Sequence, residues 1–356
     1  MKGAIVIIAI SGTGGHIYPG ITIAEVLKEK GYHPILWTSK NEVAIKIVQN
    51  SGFEFIPFSM RGMPRKLSFK FIVFVFNFFL AFLKSCFYIH KLKPAFVFGT
   101  GGYIEVPAIL AAKVFSKKTF IHEQNIVPGK ANVLLNHIVD KTFISFARSQ
   151  NFFKKECLFV GFPLRKNIFS VDKKSACQNL GLKEDVLTVL IFGGSLGAAK
   201  INDIAFEVVV QFAARQKVQA IHITGKDGYQ DIAAKSSGKD FYVVKNYLHN
   251  IYEAYAAADI IVCRAGAGTI FEIKTLNKPA IFIPFPYAAG NHQFLNAQEI
   301  KEEGFAEVIE ERDLTADKLL SVLEKLKSSA RRPSKPLDDG IFAQDKIVKY
   351  IASLKN

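Results

Sequence analysis

A histidine stands among glycines near the start of the chain, in the run ISGTGGHIYPG from Ile10 to Gly20. Imidazole accepts a proton near neutral pH, which makes His16 a candidate general base. The plainer reading is a first-turn histidine that caps or packs. Glu123, in HEQN, is a rival base whose plainer use is to orient neighbouring loops. Farther along, Thr269-Ile270-Phe271-Glu272 reads two ways. It fits a capping box, with Glu272 satisfying a backbone N–H, or Glu272 is a carboxylate that accepts a pair of ribose hydroxyls.

Four glycine clusters could hold the anionic part of a ligand: Gly12–Gly15, Gly99–Gly102, Gly193–Gly197 and Gly266–Gly268. A strand that turns through glycine into a helix leaves backbone N–H groups aimed at one spot, and the helix dipole favours negative charge there. One such turn often serves only a tight connection. Four at strand ends carry more weight, because open parallel sheets bind ligands there. The dinucleotide fingerprint GxGxxG fails, since Ile17 stands at its third glycine. The following strand ends Trp37-Thr38-Ser39, with no acid for a ribose hydroxyl. Neither GxxxxGK[ST] nor DxD occurs. A bound diphosphate is therefore expected to be neutralised by amides, hydroxyls and an arginine, with no metal and no cofactor.

The elements that must position these residues follow one plan, used twice. Ala4–Ile10 is a continuous apolar run, followed by glycines, a helical pattern through Ile21, Ala24 and Leu27, and strand-like Pro34–Thr38. Leu187–Phe192 opens the same sequence of events with GGSLGA, a helical run through Ile204, Val208 and Phe212, and strand-like Ala220–Thr224. Continuous apolar strands alternating with helices indicate parallel sheets covered on both faces. The expected fold class is α/β, two doubly wound domains in tandem. With 356 residues, 49% hydrophobic and 22% charged, the chain is long enough for two cores. The boundary is expected at Gly161-Phe162-Pro163, giving domains 1–160 and 161–340, and a final helix, 341–356, that could pack back on the first. The start of the chain lacks the long apolar core and cleavage site of a signal peptide. Four cysteines without a CxxC pair argue against zinc or a disulfide framework and fit a reducing cytoplasm.

Six segments in one order resemble a known family: GTGGHIYPGITIAEVL, GTGGYIEVPAILAA, HEQNIVPGKAN, GFPLR, GGSLGAAKIN and CRAGAGTIFEI…PAIFIPFPYAAGNHQFLNA. Together they are similar to the bacterial N-acetylglucosaminyltransferases that convert lipid I into lipid II in peptidoglycan synthesis. The match runs from about Ile5 to Ala297. The resemblance implies a GT-B fold, two Rossmann-like domains facing across a cleft. It implies an inverting, metal-independent transfer of N-acetylglucosamine from UDP to the 4-hydroxyl of the muramyl sugar on undecaprenyl diphosphate. Thr13, Gly14 and Gly15 would lie where sugar nucleotide and acceptor meet, with His16 at the acceptor hydroxyl. Gly101, Gly102 and Tyr103 would contact the acceptor. Asn125 would touch the donor sugar, although Asn before Val-Pro-Gly is more often a turn former. Arg165, opening the second domain, would reach the donor nucleotide. Ser195 would bind phosphate or simply cap its helix. Ala267, Gly268 and Thr269 would line uridine and phosphates, Leu248 would close on uracil, Glu272 would hold the ribose, and Gln293 the sugar hydroxyls, with Asn291 and His292 weaker candidates. Three residues depart from the family pattern: Ser11, Leu196 and Glu105, the last expected near the acceptor diphosphate.

Charge and one aromatic run point to a surface partner. The chain carries +15, of which residues 1–160 hold +12 (20 Lys and Arg against 8 Asp and Glu). A basic half favours nucleic acid, phosphorylated ligands or an anionic membrane, or is a solubility bias. No zinc-finger spacing, RNP-type aromatic motif or recognition-helix signature supports nucleic acid. Phe71–Leu83 is an uncharged run of 13 residues, shorter than the roughly 20 a spanning helix needs. Arg61, Arg65, Lys66, Lys70, Lys84, Lys91 and Lys93 flank it. It is either a buried helix, apolar all round, or partly in the membrane interface. The second fits a family whose acceptor is polyprenyl-linked, at the cytoplasmic face of the inner membrane. Two other functions share the expected architecture: a UDP-N-acetylglucosamine 2-epimerase or other glycosyltransferase, and a non-catalytic membrane adaptor that binds UDP-sugar.

Overall fold

The computed structural model describes residues 3–10, 14–60, 62, 64, 69–194, 197–248, 250–330 and 342–354. Ser11, Thr13, Arg61, Arg65, Lys66, Ser195, Leu196 and Ile341 lie outside the described residues. The chain forms two compact units, Met1–Arg165 with Asp339–Asn356, and Lys166–Asp338. Arg165 thus belongs to the first unit, not to the opening of the second.

The first unit begins β1 (Ile5–Ala9), α1 (Gly14–Glu29), β2 (His33–Ser39), α2 (Glu42–Asn50) and β3 (Glu54–Phe58). It continues α3 (Phe69–Leu92), β4 (Phe96–Gly99), α4 (Glu105–Val114), β5 (Lys118–Glu123), α5 (Lys130–Asn136), β6 (Lys141–Ile144) and β7 (Cys157–Phe159). The seven strands pair in parallel in the order β3-β2-β1-β4-β5-β6-β7. Side chains alternate across a strand, and β1 shows why its run is apolar throughout. Val6, Ile8 and Ile10 face one core with Ile17, Ile21 and Ala24 of α1. Ile7 and Ala9 face another with Trp37, Ala108 and Ile109. The glycine that lets a helix press on its strand is Gly20, where a Cβ would come within 2.2 Å of Ile10 Cγ2. That contact falls beyond the fingerprint's third position, which explains how Ile17 is tolerated there.

α3 is longer than the uncharged run it contains. It spans 24 residues and is long and apolar enough to cross a membrane by length and composition, which corrects the expectation from 13 uncharged residues. It is also not buried all round. Ala81, Ser85 and Ile89 are buried on one side, with Phe74, Phe78 and Phe82 packed against the same core. Phe69, Ile72, Phe76, Phe79, Leu83 and Phe87 are exposed. Lys84 does not interrupt the helix because its ammonium has partners: it lies 4.6 Å from the ring centroid of Phe58 and 5.9 Å from that of Tyr88, and Nζ donates to Pro57 O at 2.6 Å.

The second unit runs α6 (Lys173–Leu180), β8 (Leu187–Phe192), α7 (Ala199–Arg215), β9 (Val218–Ile223), α8 (Tyr229–Lys235) and β10 (Tyr242–Lys245). Then come α9 (Ile251–Ala257), β11 (Ile260–Cys263), α10 (Ala267–Thr275), β12 (Ala280–Phe282), α11 (His292–Glu302), β13 (Ala306–Val308) and α12 (Ala316–Ala330). Six parallel strands pair as β10-β9-β8-β11-β12-β13. The last helix, α13 (Ala343–Ser353), belongs to the first unit and buries Ile347, Val348 and Ile351 in the core that holds α1. Its Gln344 clasps Leu164, accepting from the backbone N at 3.2 Å and donating to the carbonyl at 2.8 Å.

Candidate functional site

In each sheet the strand order reverses once, between β1 and β4 in the first unit and between β8 and β11 in the second. Ligands of open α/β sheets bind in the crevice at the carboxyl ends of strands beside such a reversal. Gly14–His16 follow β1 and Thr100–Tyr103 follow β4, so the chain's most distinctive histidine and its second glycine cluster share one crevice.

His16 lies in the first turn of α1, half-buried. Its Nδ1 is 2.9 Å from Thr100 O and 3.2 Å from Gln124 Oε1. Thr100 returns a bond, its hydroxyl donating to His16 O at 2.8 Å. Gly14 and Gly15 begin the helix, where backbone N–H groups have no partner within the helix. Gly101, at φ +96°, passes so close under the ring that a Cβ would meet His16 Nδ1 at 2.5 Å. Gly102 also has positive φ, and the Tyr103 ring after it is 48% exposed.

Beneath this loop lies Glu105, which was expected beside an acceptor diphosphate. It is instead wholly buried at the start of α4, and Oε2 accepts from Gly101 N at 2.7 Å. Its position is set by helix phase: the first turn of α4 directs this side chain back under its own loop. Burial, with the nearby Glu123 charge adding to it, pushes the carboxyl up to about 8, while the Gly101 amide opposes the shift. Glu105 is therefore a brace for the loop.

Glu123 is also inside, at 1% exposure. Oε1 accepts from Asn125 N at 2.9 Å and Asn125 Nδ2 at 3.3 Å. Oε2 accepts from Gly129 N at 3.0 Å and Asn132 Nδ2 at 2.8 Å. With both oxygens engaged below the surface, Glu123 fits the loop-orienting role and not a base at a substrate hydroxyl. Asn125 is held by it at the end of β5, and Asn125 O accepts from Ser149 Oγ at 2.9 Å. Arg165 stacks its guanidinium over Tyr18 of α1, 4.4 Å from the ring centroid.

In the second unit, α10 opens with Gly266 extended at its N-cap, so Ala267, Gly268 and Thr269 supply the first turn. Thr269 is inside the helix, and the capping-box reading of Thr269 and Glu272 is thereby ruled out. Glu272, one turn along and half-buried, accepts from Tyr255 OH at 3.0 Å and from Tyr252 OH at 3.4 Å. Burial, then the Glu272 charge, raises the Tyr255 phenol well above its usual range, so it stays a donor. Gln293 lies in the first turn of α11 and accepts from Phe285 N at 3.0 Å, which orients its amide. Leu248 is half-buried ahead of α9. Asn291 takes a left-handed conformation at φ +55°, and His292 Nδ1 donates to Ala289 O at 2.8 Å.

Sequence reasoning missed Thr100, Gln124, Tyr252 and Tyr255. The tyrosines resemble core residues in sequence, and only the facing Glu272 gives them a second use. Gln124 had a local signal, a polar His-Glu-Gln-Asn run ending an apolar strand. Among the described residues no group of three or more His, Cys, Asp and Glu side chains could hold a metal ion.

Residues 6–144 match the glycosyltransferase family 28 N-terminal domain, and residues 188–349 match the family's C-terminal domain. A "UDP-N-acetylglucosamine--N-acetylmuramyl-(pentapeptide) pyrophosphoryl-undecaprenol N-acetylglucosamine transferase" of Desulfitobacterium hafniense (strain Y51) is 38% identical over 331 residues, covering 90% of each chain. A protein of the same description from Thermoanaerobacter sp. (strain X514) is 36% identical over 362 residues, covering 96% of this chain and 98% of its own. Among solved structures, Acinetobacter baumannii MurG superposes with TM-score 0.76 at 24% identity over 99% of both chains. A UDP complex of S. aureus MnaA gives TM-score 0.71 at 14% identity, covering 99% of this chain and 97% of its own. Both likenesses carry the fold, two parallel-sheet Rossmann-like domains of GT-B type.

Proposed function

The chain belongs to glycosyltransferase family 28 and, within it, to the N-acetylglucosaminyltransferases that act on N-acetylmuramyl-(pentapeptide) pyrophosphoryl-undecaprenol; on that premise we propose which of its residues carry the transfer of N-acetylglucosamine from UDP and how. The product is lipid II, and the transfer proceeds with inversion at the anomeric carbon.

The carrying observation is the clamp on His16. Its Nδ1 is taken by Thr100 O and Gln124 Oε1, which leaves Nε2 as the atom that takes the proton of the acceptor 4-hydroxyl as the new bond forms. Gly14 and Gly15, with Gly101, Gly102 and Tyr103, supply the acceptor's surroundings, and the free amides of the first turn of α1 favour its diphosphate. Glu272 takes the ribose hydroxyls of the donor, held for that purpose by Tyr255. The amides of Ala267, Gly268 and Thr269 meet the charge that develops on the departing UDP. Leu248 covers the uracil, and Gln293 and Asn125 hold the transferred sugar. Thr13 and Ser195 are assigned to the donor from their place in the motifs alone.

The exposed face of α3 supports attachment to the cytoplasmic face of the cell membrane. Phe69, Ile72, Phe76, Phe79, Leu83 and Phe87 are exposed on a helix whose other side belongs to the core, with Lys70 and Lys91 exposed beside them. Aromatic side chains entering the interface and lysines near anionic headgroups together give peripheral binding. A polyprenyl-linked acceptor is reached at that surface.

The reading is tested with UDP-N-acetylglucosamine labelled in the sugar and a lipid I analogue. Label should pass into the lipid fraction with release of one UDP per sugar transferred. UDP release without the analogue at the same rate, or an epimerised sugar in place of labelled lipid, overturns it.

A further inference from the structure

Behind His16 lies a buried chain of hydrogen bonds that fixes which nitrogen of its ring is bare. The chain begins at Gly161, whose carbonyl lies 3.1 Å from His122 Nε2. A carbonyl only accepts, so His122 Nε2 carries hydrogen. His122 is wholly buried, and burial lowers its pKa to about 4, so the ring is neutral and Nδ1 is a bare acceptor. Facing that Nδ1 at 3.3 Å is the side-chain nitrogen of Gln124. The same nitrogen donates to Thr100 O at 2.7 Å and to His122 O at 3.3 Å. Three acceptors around one end of the amide fix its orientation without reference to His16. Gln124 Oε1 must then face His16 Nδ1, as it does at 3.2 Å. Thr100 O, held from the other side by Gln124, accepts from the same Nδ1 at 2.9 Å. Gln124 itself is 2% exposed, so it touches no substrate.

We propose that Gln124, oriented by His122 and Gly161, is a positioning residue for the transfer: it holds His16 in the tautomer with hydrogen on Nδ1 and the lone pair of Nε2 turned to the acceptor hydroxyl. The inference rests on His16 acting as the base. A ring held by Thr100 alone could turn about its single bond. Two oxygens converging on one nitrogen remove that freedom, which is how supporting residues lock a reacting group. Gln124 exerts its effect on turnover and none on donor affinity.

The test needs two measurements. In the wild-type protein with 15N-labelled histidine, the two-bond proton–nitrogen correlations of neutral His16 should show a protonated Nδ1 and a bare Nε2. A protonated Nε2 overturns the proposal, with no variant needed. Gln124→Met keeps the length and removes both polar ends. It should lower kcat by roughly tenfold or more, keep KM for UDP-N-acetylglucosamine within about twofold, and give His16 a mixture of tautomers. Unchanged kcat, or a loss confined to KM, overturns the proposal, and if the variant does not fold the wild-type spectrum decides. Should His16→Ala retain its kcat, the base assignment fails on its own. If His16→Ala is inactive while Gln124→Met keeps both kcat and the wild-type His16 spectrum, only the positioning role falls.

Discussion

The imidazole of His16 and the backbone of Gly101 are in contact, so that a β-carbon on residue 101 would stand 2.5 Å from Nδ1 and 2.7 Å from Cε1. The two residues follow different strands, His16 in α1 after β1 and Gly101 in the loop after β4, at the reversal of the sheet. Glycine at 101 therefore answers two demands together, a left-handed backbone and room for the ring.

Gly101→Ala should displace the ring and strain the loop. A shift of about 1 Å in a reacting group costs on the order of a hundredfold in rate. We expect kcat to fall by about that factor while UDP-N-acetylglucosamine affinity, which the proposal gives chiefly to Glu272 and its neighbours, changes little. Steady-state kinetics beside calorimetric titration of the donor checks this; a variant with near-normal kcat would show that the contact is incidental.

Glu105 predicts a pH dependence of stability. Its folded pKa, about 8, lies above the ordinary 4.5, so the native state holds a proton that the unfolded chain gives up. The unfolded state binds fewer protons in that window, and the contribution of Glu105 to stability is lost as pH rises from about 4.5 through about 8. Glu105→Gln keeps an acceptor for Gly101 N and cannot ionise. Its melting temperature relative to the wild type should climb by several degrees between pH 5 and pH 8, on the order of a few kcal/mol. A difference that stays flat across that range would mean the carboxyl titrates normally.

Much of this architecture is visible in the residues. β1 and β8 are legible because a strand buried on both faces must be apolar at every position, and the glycine turns after them mark the strand ends. What the sequence hides is direction. Whether Glu105 points at a ligand or under its own loop depends on the phase of α4. Glu123 looks like a base in HEQN, yet its oxygens are consumed by Asn125, Gly129 and Asn132. In the sequence Lys84 ends an uncharged run, whereas its amine reaches Pro57 O and the helix goes on. The pairing of His16 with Gln124 spans 108 residues, and no local pattern announces it.

Donor binding should depend on the pair Glu272 and Tyr255. Glu272→Ala removes a charged acceptor of hydrogen bonds, worth about 1.5–3 kcal/mol, and should raise KM for UDP-N-acetylglucosamine roughly 10- to 100-fold. Tyr255→Phe loosens the carboxylate without removing it and should cost only severalfold. Equal effects of the two, or no change in KM for the first, would detach Glu272 from the ribose.

Membrane attachment should require the outer face of α3. Phe76→Glu with Phe79→Glu places two charges where exposed rings stand 60% and 55% accessible. Flotation with phosphatidylglycerol vesicles should recover the wild type with the lipid and leave the double variant behind, with UDP binding intact in both. Recovery of both with the vesicles would move the attachment elsewhere.

The central claim is that His16 takes the acceptor's proton, and His16→Ala tests it most directly. Transfer of labelled sugar to a lipid I analogue should show kcat lower by about a hundredfold or more, while donor affinity measured by titration stays within about twofold. A variant that transfers sugar at close to the wild-type kcat would contradict the account.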